Sequence, residues 1–352
     1  MSERPRTLRL EGLEPDNFLA FLALLGLLRA LEEAERELDE KERWWPRASW
    51  DVDRPPWRPR LHLASPVERG ELFERVERGI AAFREALDFR GRKMPDFAPN
   101  EYRALVEEAA RDATGRLRLD VLGSVATDQV FDEGTTTPTP LCLMSGQGHQ
   151  FFLERMAEVP FPGASTGASK PSNRNDELHD LKRALLDVWR RSDSASGYSF
   201  RWDPYETARQ AFMAGDPTDP KFKLGTEKGA NRLAAIGLTV LPVVAEDGRW
   251  VSVPGAYAES GGIELVWPIW REPASLAAIR ALLAHPRLSE PEALRHLGVV
   301  AVMRTRIERI GRFKNVGRAE AVPVSNQRVS RFGPRGDGRD PTRRREDIVA
   351  PE

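Results

Sequence analysis

"FLAFLALLGLL" occupies residues 18–28, and its reading decides the fold. Eleven residues without a polar side chain can be a membrane span, a signal core or a buried helix. As a helix they rise about 16 Å, against about 30 Å for a bilayer core. Glu11, Glu14 and Asp16 precede them, whereas a secretory signal carries positive charge there. The stretch predicts a helix buried on all sides, running from about Phe18 to Leu38. Asp16 or Asn17 is placed to cap it, and "EEAERELDEKER" forms its solvated end. Just upstream, "TLRLEGL" alternates like a short strand.

Further out, residues 44–63 hold Trp44, Trp45, Trp50 and Trp57 among several prolines. They read as two short strands, "RASWDV" and "RPRLHLA", joined by a turn. Helical patterns follow at 66–89 and 99–113, and 116–128 fits a helix or a strand. "PLCLM" looks like a buried strand, "SGQG" like a turn, and "HQFFLERMAEV" like a helix start. A polar loop covers 163–175 and a helix 176–191. "YSFRWDP" looks strand-like, "GANRLAAIGLTVLPVV" like a helix then a strand, and "RWVSVPG" with "IELVWPIW" like a hairpin. "PASLAAIRALLAHP" is a bounded helix.

These elements predict an α+β fold: mixed helices and short antiparallel strands around a central apolar N-terminal helix. The globular region is expected over 1–311, with a candidate subdivision at 163–175. A basic, flexible C-terminal tail is expected over 312–352.

The chain has 352 residues, with 53 Lys+Arg against 54 Asp+Glu. A near-zero net charge excludes a global polyanion-binding charge, so any such surface is local. The single cysteine excludes an intramolecular disulfide and a cysteine-rich zinc site, and it fits a reducing cytoplasm. No cofactor is expected.

The strongest local charge lies at the C-terminal end. Residues 301–345 carry thirteen Lys or Arg against four Asp or Glu. Arg304, Arg306, Arg309, Arg312, Lys314 and Arg318 are the expected phosphate contacts. Gln147 and His149, in the glycine turn, form a second patch. Such a turn presents backbone N–H groups near a helix start. Arg201, beside Phe200 and Trp202, matches an arginine next to an aromatic platform for single strands; a half-buried strand is the plainer reading. Two catalytic arrangements compete with these. Cys142 and His149 are spaced so that they could meet across a tight loop, and Asp176, His179 and Asp180 are spaced one helical turn apart. Cys142 also fits as a small buried hydrophobe. A third alternative is a protein-only scaffold anchored by exposed tryptophans from Trp44 to Trp57.

The order of "LEGLEPDNFLAFLALLGLLRALEE", "SGQGHQFF", "FRWDPYE", "KGANRLAAIGLTVLPV" and "LVWPIWREPASLAAIRALLAHP" resembles proteins of type I-G (formerly I-U) CRISPR systems. The resemblance covers about residues 8–286, and it is nearest to the extension family of the CRISPR nuclease-helicase. A large-subunit-like component of the same complex is the neighbouring alternative. The resemblance implies a non-catalytic accessory subunit in antiviral interference. Its implied partners are effector subunits or the nuclease-helicase, and crRNA or target DNA, with no membrane.

Overall fold

A computed structural model describes residues 5–111, 115–144, 151–161, 174–195, 197–205, 225–248, 250–259, 262–310 and 313–324. Its elements begin with β1 (Thr7–Arg9), α1 (Phe18–Ala34), β2 (Arg47–Asp51), β3 (Arg58–His62), α2 (Arg69–Ala81), α3 (Pro99–Arg111) and α4 (Arg116–Val125). Then come β4 (Ala126–Asp132), β5 (Thr135–Pro138), α5 (Phe152–Glu158), α6 (Arg174–Leu186), β6 (Asp193–Ser194), β7 (Gly225–Thr226) and α7 (Lys228–Leu238). The C-terminal part holds β8 (Val244–Glu246), β9 (Trp250–Ser252), β10 (Ala256–Glu259), β11 (Gly262–Trp270), α8 (Leu276–Leu283), β12 (Val299–Ile310), β13 (Phe313–Val316) and β14 (Glu320–Pro323). The fold is α+β, and every named strand pairing is antiparallel.

The apolar stretch forms the axis. Every residue of α1 from Phe18 to Leu31 is buried, as expected of a helix with no polar face. It packs against α2, α7 and α8, and Phe18 and Phe21 meet Trp267 of β11 at ring distances of 5.5 and 5.7 Å. Helices α1 and α7 touch backbone to backbone. A Cβ on Gly26 would lie 1.8 Å from the Leu233 carbonyl oxygen, and one on Gly237 would lie 2.0 Å from that of Leu22. Only glycine permits this crossing.

The start of α1 is closed by distant chain. Asn17 accepts from the Ala20 N–H (3.3 Å) and donates through Nδ2 to Asp203 Oδ1 (3.1 Å). Asp203 is fully buried and also receives Arg191 Nε at 2.8 Å. The Leu19 N–H, one of the helix's orphan donors, donates to the Trp202 carbonyl at 3.1 Å. Beside this cap lies Glu227, also fully buried, which accepts from the Arg191 N–H at 2.5 Å and Arg183 Nε at 3.3 Å. Burial pushes its carboxyl above the usual value, with the Arg191 N–H and Arg183 opposing.

A raised folded pKa means that the native state holds this proton more tightly than the unfolded chain does. The stabilisation is complete below the ordinary carboxylate value and is lost as pH rises through the folded one. Glu227→Gln is therefore expected to compare worse with wild type at about pH 4 than at about pH 7, in denaturant unfolding at each pH. An equal difference at both pH values would contradict this.

The large sheet runs β10-β11-β12-β13, with β14 on the same edge of β12 as β13. β13 pairs the distal half of β12 (Ile307↔Val316) and β14 the proximal half (Ala301↔Pro323). The small sheet, β1-β3-β2, joins it through a bridge between Ala48 and Ala274, reinforced by Trp270 Nε1 donating to the Ala48 carbonyl at 2.7 Å.

Several expectations are corrected. The folded region does not stop at Gly311, because β13 and β14 complete the large sheet; of the expected tail, residues 325–352 lie outside the described residues. Leu141 to Met144 are buried as expected, but in turns and not in a strand. Cys142 N–H folds back to Thr139, and the Leu141 carbonyl is taken by Trp202 Nε1. Residues 199–203 form no strand, because Arg201 has a left-handed φ of 67°. β9 pairs with β8, and β10 is the strand that forms the hairpin with β11. The end of α1 is less solvated than its composition suggests, because Glu35 is buried.

Candidate functional site

The expected phosphate contacts on the C-terminal strands lie on β12, an inner strand of the large sheet, on β13 and on the link to β14. Arg304 and Arg306 alternate on β12, on the face opposite buried Met303, Thr305 and Ile307. Arg304 donates to the Ser289 carbonyl and lies 3.6 Å from Glu264. Arg306 is exposed and pairs with Glu259 at 2.8 Å. Arg318 pairs with Asp16 and donates to the Tyr205 hydroxyl at 3.1 Å. Lys314 is half-buried, and its backbone pairs with that of Arg309. Acidic neighbours thus offset much of the charge visible in the sequence. Arg312, Gln147 and His149 lie outside the described residues.

Among the described residues the remaining candidates do not converge on a reaction centre. Cys142 is buried. Asp180 pairs with Lys228 at 3.0 Å and His179 is exposed, while the side chain of Asp176 lies outside the description. Among the described residues no group of three His, Cys, Asp or Glu is placed to hold a metal ion. Nor is any described helix long and apolar enough to cross a membrane. The aromatic platform beside Arg201 is corrected: Phe200 and Trp202 are fully buried and stacked at 4.4 Å, and Arg201 is buried too. The Trp202 carbonyl serves the cap of α1. The tryptophan anchors are corrected as well, since Trp44 and Trp50 are buried and Trp57 is half-buried.

The exception is Trp45, which is 50% exposed. The buried Glu35 carboxylate, just past the end of α1, accepts the Trp44 N–H at 2.8 Å and the Trp45 N–H at 3.3 Å. Arg75 holds the same carboxylate at 3.3 Å and covers the Trp44 ring at 3.4 Å. Trp44 is thereby locked inward. Trp45 takes a left-handed φ of 49° and turns outward, a conformation that costs a bulky residue about 1–3 kcal/mol. Arg43 lies 5.7 Å from its ring and is fixed by bonds to the Leu38 and Arg36 carbonyls.

Trp45 opens onto a cleft of about 500 Å³ between α1, α4 and the start of α8. Its lining includes five arginines against three glutamates. Arg29 is committed to Asp120 at 2.6 Å, and Arg36 to Glu33 at 3.4 Å. Arg47 and Arg116 are exposed and pair with no carboxylate among the described residues. Arg116 also opens α4, where the helix dipole disfavours a cation. Both conditions ease when an anion binds. An exposed indole beside free guanidiniums suits a base on the ring with phosphates alongside. The sequence showed the four tryptophans but not which one faces out, because that choice depends on Glu35, ten positions away.

No protein-family model matches the chain, and no curated protein is significantly similar to it.

Proposed function

We propose that this protein is a nucleic-acid-contacting accessory subunit that leaves chemistry to a partner, acting in the cytoplasm within a type I-G CRISPR interference system as its resemblance implies. The observation that carries the nucleic-acid reading is the Trp45 cleft, where a half-exposed indole held in a left-handed turn shares the lining with Arg47 and Arg116, two arginines that pair with no described carboxylate. Cys142 is buried and Asp180 is paired with Lys228, which supports the reading that chemistry is left to a partner. In the assembly the partners are the nuclease-helicase or effector subunits, with crRNA or target DNA in the cleft.

The test is binding of short single-stranded RNA and DNA across a salt titration. Trp45→Ala is expected to weaken binding about tenfold, within the range of one lost base stack. Arg47→Ala/Arg116→Ala is expected to lower the slope of log affinity against log salt by about 1.4, since each single-strand phosphate contact contributes about 0.7. Binding that survives these changes but falls in Arg304→Ala/Arg306→Ala would move the interface to the large sheet. Co-purification with the nuclease-helicase checks the assignment to the system.

A protein-docking surface is favoured by one further observation. Trp250 is 66% exposed and shares a face of the β8–β9 ribbon with exposed Val244. β4, which carries exposed Phe131, packs against this ribbon. Docking there is compatible with nucleic acid in the cleft, because the two surfaces are built from different elements.

A further inference from the structure

We propose that Glu32 makes the Trp45 cleft selective for guanine in a single strand, an inference that rests on the nucleic-acid reading above. Glu32 lines the same cleft as Trp45, Arg47 and Arg116. It is half-buried, and no described group donates a hydrogen bond to it. Its acidic neighbours differ in this respect. Glu33 is held by Arg29 and Arg36, and Glu35 by Arg75 and two backbone N–H groups. Three arginines, Arg29 of α1, Arg116 of α4 and Arg280 of α8, act on Glu32 through space, yet burial outweighs them and raises its pKa. Its carboxylate is left to solvent for hydrogen-bond donors.

A strand entering the cleft would supply them. Once a base stacks on Trp45, its Watson–Crick edge becomes available to neighbouring side chains. Guanine offers two adjacent donors, N1–H and the N2 amino group, which match the two oxygens of one carboxylate. Uracil offers one donor flanked by two carbonyl oxygens, which the carboxylate repels. Adenine and cytosine each present an amino donor beside a ring acceptor, so they satisfy one oxygen and oppose the other. Duplex is excluded from this contact, because its Watson–Crick edges are already paired.

The test uses the full chain and heptanucleotides of uridine with or without one central guanosine, read by fluorescence anisotropy. Wild type is expected to prefer the guanosine strand at least about fivefold, the low end for a bidentate base contact. Glu32→Gln is expected to bring that ratio close to one, because its amide presents a donor where guanine also presents one. A measurement on wild type alone gives a second check. Lowering the pH through the raised pKa of Glu32 protonates the carboxyl, and the ratio should fall. In Glu32→Gln, which lacks that carboxyl, the ratio should stay flat over the same pH range. Equal binding of both strands by wild type would overturn the guanine assignment and leave the cleft as a general single-strand site. An unchanged ratio in Glu32→Gln would also overturn it. Failure of either strand to bind would overturn both readings.

Discussion

Gly26→Val is expected to abolish cooperative folding. The Gly26 Cα faces the Leu233 carbonyl so closely that a Cβ would sit 1.8 Å from the oxygen, well inside contact distance. Overpacking usually costs about 1–3 kcal/mol where side chains can shift. Here the obstacle is helix backbone, so α7 would have to move away from α1 as a unit. Residues of α1 from Phe18 to Leu31 are buried, and that separation would open the centre of the core. Native stabilities are only about 5–15 kcal/mol, so the loss is of the same order as the whole. Even Gly26→Ala should lower stability by more than about 3 kcal/mol, placing it among the exceptional single changes. Denaturant unfolding followed by tryptophan fluorescence measures both variants. A wild-type midpoint in Gly26→Val would mean that the two helices do not cross as described.

The second large effect is expected at Glu77. Arg232 of α7 is fully buried, and its guanidinium reaches both oxygens of Glu77 on α2 at 2.6 and 2.7 Å, with Nε donating to the Pro160 carbonyl at 3.1 Å. Glu77→Ala removes the carboxylate and leaves the buried cation behind, at a cost of about 3–5 kcal/mol. Replacing both members by apolar residues, Glu77→Leu with Arg232→Met, should recover most of that loss, because it removes the stranded charge as well as the pair. A double variant as unstable as Glu77→Ala alone would show that the Arg232 contact to Pro160 matters more than the ion pair.

The parts of this fold governed by local physics were legible in the sequence. The run from Phe18 to Leu28 has one physical outcome in water, Asn17 caps it, and the strands at Arg47–Asp51 and Arg58–His62 form their hairpin. Ser275, whose hydroxyl accepts the Ala278 N–H at 3.3 Å, starts α8. Where the reading failed, long-range contacts had overridden local pattern. Phe200 and Trp202 alternate like strand residues, but Arg201 turns left-handed and the Trp202 carbonyl closes α1 from far along the chain. Residues 116–128 were ambiguous because the segment is both elements in succession, α4 to Val125 and β4 from Ala126. β13 and β14 were hidden because edge strands need little apolar content, and Arg and Gly predominate around them.

The cleft was harder to foresee than the fold. Charge density along the chain pointed to Arg304, Arg306 and Arg318, whose neighbours in space are Glu264, Glu259 and Asp16. Arg47 and Arg116 stand out only once their lack of partners is visible. An unpaired charge is a property of three dimensions, and composition averages it away.

The position of α1 also sets a problem for synthesis. Its main partner, α7, begins at Lys228, roughly 190 residues after α1 ends at Ala34. At about 5–20 residues per second a ribosome needs roughly 10–40 s to bridge that interval. Throughout it the emerging polypeptide carries a greasy segment that α2 covers on one side only. Such an intermediate is a natural client for a holdase chaperone, and heterologous production should gain more from slowed translation or added chaperones than from any change to the exterior of the finished molecule.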